Sequence, residues 1–501
     1  VKKAHIDIFS HNFRLSKFDR DFYILILEFC RPLMQLEMGG GGIKCVFAAS
    51  TAARDEFRIH RNLLDKFYSF MEYRGIKKEQ FEIKEHTLPE FIPLDLAIKE
   101  GLKARDYQEP IIDFINEKDK PIRVITIQTG RGKTLIAIMG MVRWNQRVLI
   151  TVPAKFTDKW YSDVTDNTDA TVEDILYIKK AKDFYALLRN AKAGYEIKQK
   201  VIIISNSLMQ IFLSDFEKNP SLTIEMACHP EEMYDVLKIG YRIIDEVHTP
   251  AHLNFKIDLY TNLSKAVYLT ATMDSREPFL TRMRQIAYPI DDRYQGLAYD
   301  QYIEVRAYEY ALRAPRKARF KNRKGHYNHI VYEQYLMKNR QMLDSYLAMI
   351  IDLLAGEFYS IREAGQKAIV FAASVEFCVI LSNAIKAKWP HLAVAKYVSE
   401  DDYQVLHSND IVVSTVLSAG TGVDIEGLTY NLMTTSVDSP QSNEQTMGRL
   451  RRLKRWPDHT PVFGYLYTGD IPKQFKYHQN KLEFFKGRAK LHRTMMTGAI
   501  I

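Results

Sequence analysis

The chain reads as an α/β protein with two parallel-sheet units in tandem behind a small α+β unit, and three observations predict this. Short β-branched runs alternate with helix-length stretches from about residue 100 to 280. The same alternation resumes from about 340 to 470, after a strongly basic stretch that follows neither pattern. The first 80 or so residues show a different order, with isolated strand signals around two amphipathic helix signals.

In residues 1–85, HIDIF suggests a strand, 19–36 a helix, KCVFAA and EFRIH a strand pair, and 61–73 a second helix. The GGGG at 39–42 is expected to be a flexible turn between helix and strand. The stretch 86–103, with its prolines and mixed charges, reads as a linker. Over 104–300 the runs RVITI, RVLITV, KVIIIS, YRIID and KAVYLT are nearly uninterrupted apolar strands, as in a parallel sheet buried on both faces. Residues 301–335 read as a basic insert or hairpin. Over 336–501, KAIVFAAS, DIVVSTV, TYNLMTTS and VFGYLYT give the second sheet, followed by a basic C-terminal helix.

Composition narrows the class. The 501 residues carry 70 Lys and Arg against 61 Asp and Glu, a net charge of +9 that favours a polyanionic partner where it is clustered. The four cysteines form no C-x-x-C pair, so neither a zinc ribbon nor a disulfide framework is supported, and a reducing, cytoplasmic setting is expected. No apolar run has the length of a membrane span, and no membrane partner is expected.

Chemistry concentrates in two motifs. QTGRGKT, 128–134, lies between a strand signal and a helix signal, and a phosphate-binding loop needs the turned backbone N–H groups, the lysine and the hydroxyl that Gly130, Gly132, Lys133 and Thr134 supply. Ile127 stands where the commonest form of this loop has its first glycine. Downstream, IIDEVH ends a strand signal with Asp245, suited to holding Mg2+, and Glu246, suited to polarising a water.

Loop and acid pair in this order resemble the superfamily 2 helicases and translocases of the DExH branch, whose loop is written T-G-x-G-K-T and matches Thr129–Thr134 without a glycine at Ile127. Further segments resemble that family in order. ARDYQEPII, with Arg105, Tyr107 and Gln108, resembles the adenine-reading motif. TVPAKF, with Pro153 and Lys155, and ISNSL, with Asn206, resemble motifs that touch the phosphates of a bound strand. Thr270–Thr272 resemble the motif that links hydrolysis to strand contact. KAIVFAAS, with Ser374, and STVLSAGTGVDI, with Thr415, Gly422 and Asp424, resemble two motifs of the second unit, Gly422 and Asp424 facing the nucleotide. QTMGRLRR resembles the motif with Gln445 and the arginine fingers Arg449 and Arg452, which a helix would set one turn apart.

The resemblance implies two tandem RecA-like motor domains, ATP and Mg2+ as cofactors, and nucleic acid as the partner. Specificity is expected from the N-terminal unit, as an accessory DNA-binding domain, and from residues 313–329. There Arg313, Arg316, Lys317, Arg319, Lys321, Arg323 and Lys324 surround Phe320 and Tyr327 with no acid among them, a composition suited to phosphate neutralisation and base stacking, or to a solvated linker. The overall order resembles the phage branch-migration helicases of the UvsW type, which implies action on DNA forks, four-way junctions and single strands. An ATP-gated clamp that does not unwind, and an RNA helicase, are the alternatives.

Overall fold

The computed structural model describes the chain except residues 1–3, 37–42, 50–54, 248–250, 274, 276, 296, 399–400, 403 and 420–424. The glycine run at 39–42 therefore lies outside the described residues, as do Gly422 and Asp424. The chain divides into two compact units: Val1–Ile127 with Gly132–Leu297, and Gln128–Arg131 with Ala298–Ile501.

In the first unit, strands β1 (Ala4–Ile8), β2 (Asn12–Ser16), β5 (Phe47–Ala49), β6 (Glu56–His60) and β7 (Phe81–Glu85) form a sheet in the order β5-β6-β2-β1-β7. A separate antiparallel ribbon pairs β3 (Met34–Leu36) with β4 (Ile43–Cys45). Helices α1 (Arg20–Cys30) and α2 (Leu64–Tyr73) occur where the sequence predicts them, but α1 stops early. Pro32 lacks the N–H that would continue it, and a 3-10 turn leads directly into β3. The strands β2 and β7 carry no alternation strong enough to read from sequence.

The six-stranded sheet of this unit runs β10-β11-β9-β12-β13-β8, with every pairing parallel. Its strands are β8 (Ile122–Thr126), β9 (Val148–Val152), β10 (Ile175–Ile178), β11 (Val201–Ser205), β12 (Tyr241–Asp245) and β13 (Lys265–Thr270). Alternate residues feed two cores: Val124, Ile202 and Ile204 face one, Ile125 and Ile203 the other. The first of these cores also contains Phe13, Phe22, Phe57 and Phe67, so the N-terminal sheet and the parallel sheet share one hydrophobic interior.

Polar contacts reinforce that junction. Asn12 Nδ2 donates to the carbonyls of Asp258 (3.2 Å) and Thr261 (3.1 Å), and Arg14 and Arg58 both pair with Glu231. Behind them, the fully buried Arg242 lies 3.5 Å from the fully buried Asp258, whose Oδ1 also accepts from the Tyr268 hydroxyl at 2.6 Å. Burial pushes the Asp258 carboxyl up to about 7, against the pull of Arg242 and the Tyr268 hydrogen bond.

The second unit holds a seven-stranded sheet, β16-β17-β15-β18-β19-β14-β20, again parallel at every pairing. The strands are β14 (Glu304–Ala311), β15 (Lys367–Ala372), β16 (Val394–Tyr397), β17 (Ile411–Thr415), β18 (Leu428–Met433), β19 (Val462–Tyr467) and β20 (Leu491–Ile500). Two expected boundaries change. The insert expected over 301–335 begins with β14, because Val305, Ala307, Tyr308 and Tyr310 are buried between β19 and β20. The expected C-terminal helix, Pro472–Phe485, is followed by β20, an edge strand on β14 whose largely exposed residues give no strand-like apolar run.

Removing the Asp258 carboxylate leaves Arg242 buried without its counter-charge. We expect Asp258→Ala to lose about 3–5 kcal/mol of stability in urea unfolding. A loss below about 1 kcal/mol would mean that Arg242 is satisfied without Asp258.

Candidate active site

The phosphate-type loop leaves the end of β8 and enters helix α4 (Lys133–Trp144), preceded by α3 (Glu109–Ile115). Gly130 and Gly132 have φ of 87° and 79°, the left-handed region that costs a side chain energy, and Gly132 is the residue that starts α4. Ile127 is buried in the sheet's core, so the position without glycine is the last strand-like residue rather than part of the turn. The Lys133 Nζ donates to the Ile127 carbonyl at 3.0 Å, which holds the amine over the loop.

Gln108 packs directly on this loop. Its Oε1 accepts from the Arg105 backbone N–H at 2.9 Å, and a Cβ at Gly132 would fall 2.5 Å from its Nε2. Arg105 Nη1 donates to the Tyr107 hydroxyl at 3.1 Å, so the three residues of the expected adenine-reading segment form one cluster beside the loop.

Asp245 ends β12 two strands from β8, with β13 between them. Its Oδ2 accepts from the buried Trp160 Nε1 at 2.9 Å, and its Oδ1 from the Glu246 N–H at 2.8 Å. Burial, then the Glu246 charge, raises the Asp245 carboxyl to about 6, against the Trp160 hydrogen bond and the Lys133 charge. Glu246 has φ of 53°, a left-handed backbone that a non-glycine residue adopts only when its surroundings hold it there. Val247 N–H donates to Leu269 O (3.1 Å) and Asn254 Nδ2 to Val247 O (3.1 Å), and both pin the turn. Thr270 closes on Thr272 through its hydroxyl, 2.8 Å to Thr272 O.

No cluster of three or more His, Cys, Asp or Glu suited to a metal exists among the described residues. The donor set nevertheless fits Mg2+ bound with a nucleotide, because that ion takes one or two protein oxygens beside phosphates and water. The partly buried carboxylate of Asp245, within the influence of the Lys133 charge, and the Thr134 hydroxyl meet that need.

Pro153 and Lys155 follow β9, and Asn206 follows β11, its neighbour in the sheet, with Val152 opposite Ser205. Asn206 is buried and its Oδ1 has no hydrogen-bond partner among the described residues.

In the second unit, Ser374 follows β15 and Thr415 ends β17, the adjacent strand. Both line a cavity of about 910 Å³. Glu333, not singled out from the sequence, accepts from Ala373 N (2.7 Å), Ser374 N (2.8 Å) and the Ser374 hydroxyl (2.6 Å).

Gln445 lies on the helix Pro440–Met447, but Arg449 and Arg452 do not share that helix, as their spacing had suggested. The chain turns at Gly448, Leu450 is drawn into the core, and the two arginines end in unlike surroundings. Arg449 is buried. Arg452 is exposed, paired through Nε with Asp300 at 2.8 Å and stacked over Tyr302 at 5.1 Å. Asp300, Trp160 and Glu333 carry no motif, and only the folded chain reveals them as supports.

Of the basic segment, Pro315–Lys317 forms a 3-10 turn, and Lys321 pairs with Tyr327 across a tip closed by Gly325. Arg316, Lys317, Arg319 and Lys321 are exposed, as are Arg313, Arg323 and Lys324. Phe320 and Tyr327 pack on each other (6.0 Å) and on the second unit's core, so they anchor the hairpin instead of standing out for stacking.

Residues 101–275 match the family described as "Type III restriction enzyme, res subunit" (ResIII). Among solved structures, a fragment described as an HsdR subunit of a type I restriction enzyme from Vibrio vulnificus YJ016 aligns with 16% identity and TM-score 0.51, covering 87% of this chain and 76% of that one. Dbp5 of S. cerevisiae, bound to RNA and ADP BeF3, aligns with 11% identity and TM-score 0.50, covering 79% and 91%. T4 UvsW aligns with 13% identity and TM-score 0.36, covering 99% of this chain and 100% of that one. A sequence search of curated proteins finds no match. The two parallel-sheet α/β units have the fold of tandem RecA-like domains. No helix among the described residues is long and apolar enough to cross a membrane.

Gly132→Ala would force a side chain into a left-handed backbone and against Gln108. We expect ATP affinity, read by titration calorimetry, to fall more than ~10-fold while the urea midpoint moves by no more than the ~1–2 kcal/mol cost of that conformation. Unchanged affinity would mean that the loop tolerates a different shape when it binds.

Proposed function

We propose that this ATPase moves along DNA and remodels forked and four-way junctions. In this reading Arg105, Tyr107 and Gln108 receive the adenine, and Thr129, Gly130, Gly132 and Lys133 hold the phosphates. Thr134 and Asp245 hold Mg2+, which when bound neutralises the phosphates, and Glu246 orients the attacking water. Gln445, Arg449 and Arg452 stabilise charge on the transferred phosphoryl group. Gly422 and Asp424, outside the described residues, are assigned to the nucleotide by resemblance alone. Pro153, Lys155, Asn206, Ser374 and Thr415 contact the strand, and the pairing of these residues on adjacent strand ends in each unit supports that assignment.

The observation that carries the junction reading is the hairpin at 313–329, with its seven cations all exposed and its aromatics committed to the core. A rigidly anchored, purely basic projection suits the converging phosphates of a branched duplex better than the base of a single strand. An RNA substrate is the second reading, since Dbp5, of similar fold, is bound to RNA.

For the chemistry, Lys133→Ala is expected to lose ATP binding or turnover. Glu246→Gln should retain binding and lose at least ~10²-fold in steady-state ATPase, the scale of a lost general base. Arg452→Ala should lose turnover with affinity changed far less. ATPase near wild type in the Lys133 or Glu246 variant would end the assignment of the loop.

For the substrate, neutralising Arg316, Lys317, Arg319 and Lys321 together should spare ATPase on single-stranded DNA and abolish unwinding of forks and four-way junctions. Each lost phosphate contact should also lower the salt slope of junction binding by about one. Fork unwinding at the wild-type rate would remove the case for junction remodelling, and equal activity on matched RNA forks would favour the RNA reading.

A further inference from the structure

The cavity of the second unit opens where β15, β17 and β18 end, the edge at which parallel α/β sheets bind ligands. Its volume of about 910 Å³ lies at the upper end of small-molecule sites. Its chemistry is unusual for a surface expected to track a polyanion. Among the described residues no lysine or arginine lines it; aliphatic side chains share the wall with hydroxyls such as Ser374, Thr415 and Thr435, two tyrosines, His329 and one carboxylate, Asp438.

His329 adds no charge. Its Nδ1 receives the Ser436 backbone N–H at 3.1 Å and contacts the Tyr327 hydroxyl at 2.6 Å, which assigns the ring proton to Nε2. Burial holds the ring neutral, down to about 3. The helix Val375–Lys388 starts at the cavity, but Glu333 already occupies the Ala373 and Ser374 N–H groups, so an incoming phosphate would meet a carboxylate. The interior of the cavity therefore suits a flat, largely apolar ring bearing hydrogen-bond donors better than a phosphate.

Two further features fit such a ring. Tyr477 stands at the cavity wall with its plane at 89° to Tyr327 and the ring centroids 5.7 Å apart, while Gln474 Nε2 pins the Tyr327 hydroxyl at 3.0 Å. Asn480 Nδ2 holds Asp438 Oδ1 at 2.8 Å. Outside, Lys473 on the same helix as Tyr477 carries its Nζ 5.8 Å from the Tyr477 centroid, where it can meet the phosphate that flanks an inserted base.

We propose that this cavity takes an unstacked base of the bound single strand, with the Tyr477 ring as its stacking face and the Asp438 carboxylate as acceptor for amino or imino hydrogens of the base. The inference rests on the nucleic-acid reading above and adds to it a base contact in a surface otherwise assigned to the backbone. Strand grip in the second unit then depends on bases as well as phosphates.

The test compares the binding of the full chain to a labelled oligo(dT) strand and to a fully abasic strand of equal length and salt. Wild type should bind the intact strand at least ~10-fold more tightly, the effect of one base–aromatic stack. Tyr477→Ala should weaken the intact strand by about that factor and leave the abasic strand unchanged, which also reports an intact fold, and Tyr477→Phe should restore binding. Equal weakening of both strands by Tyr477→Ala, or no weakening of either, would overturn the base pocket while strand binding stands. If wild type binds neither strand, the nucleic-acid reading itself falls, and the pocket with it.

Discussion

The candidate nucleotide site depends on the position of β13 between β8 and β12. Chain order alone would put the loop after β8 and the acids after β12 far apart, with three strands and several helices intervening. The parallel order β9-β12-β13-β8 brings both to the same edge, two strand spacings, or about 10 Å, from each other. Lys133 is then close enough for its charge to act on Asp245. What keeps the order is burial on both faces: the strands are rich in apolar and β-branched residues, and a shift of one residue would exchange the residues that feed the two cores.

The site is also held from outside its own motifs. Trp160 fixes the Asp245 carboxylate, Asn254 and Leu269 fix the turn that follows, and Gln108 limits the shape of the loop through Gly132. The left-handed Glu246 is the cost of aiming a carboxylate from the end of a buried strand, and these neighbours offset it. Beneath the same sheet the N-terminal strands share its core and rest on the Arg242–Asp258–Tyr268 network, so they act as part of the first unit's foundation as well as its surface.

In the second unit the same architecture serves a different chemistry. At the end of β15, Glu333 occupies the N–H groups of the helix start that could otherwise receive an anion. The hairpin gathers seven exposed cations, while the cavity between the strand ends is lined by aliphatic, aromatic and hydroxyl side chains. The exposed cations of the hairpin and the apolar lining of the cavity thus lie on different parts of one unit, which neither the charge count nor the motif order reveals.

The sequence by itself determined the parallel α/β class, the two sheets, and the loop and acid pair, because these depend on local signals: continuous β-branched runs, glycines at a turn, and acids at a strand end. Only the tertiary structure decided the rest. The strands β2, β3, β7, β10, β14, β16 and β20 show no local signal that sets them apart, because each is short or is defined by the neighbours it pairs with in the sheet. The spacing of Arg449 and Arg452 suggested one helical face, yet the burial of Leu450 ends the helix and separates the arginines into buried and exposed surroundings. Phe320 and Tyr327 looked free to stack among the cations, but the second core claims both. Trp160, Glu333, Asp300 and Tyr477 carry no pattern of their own, since a side chain that positions another is defined by a contact made only after the chain has folded.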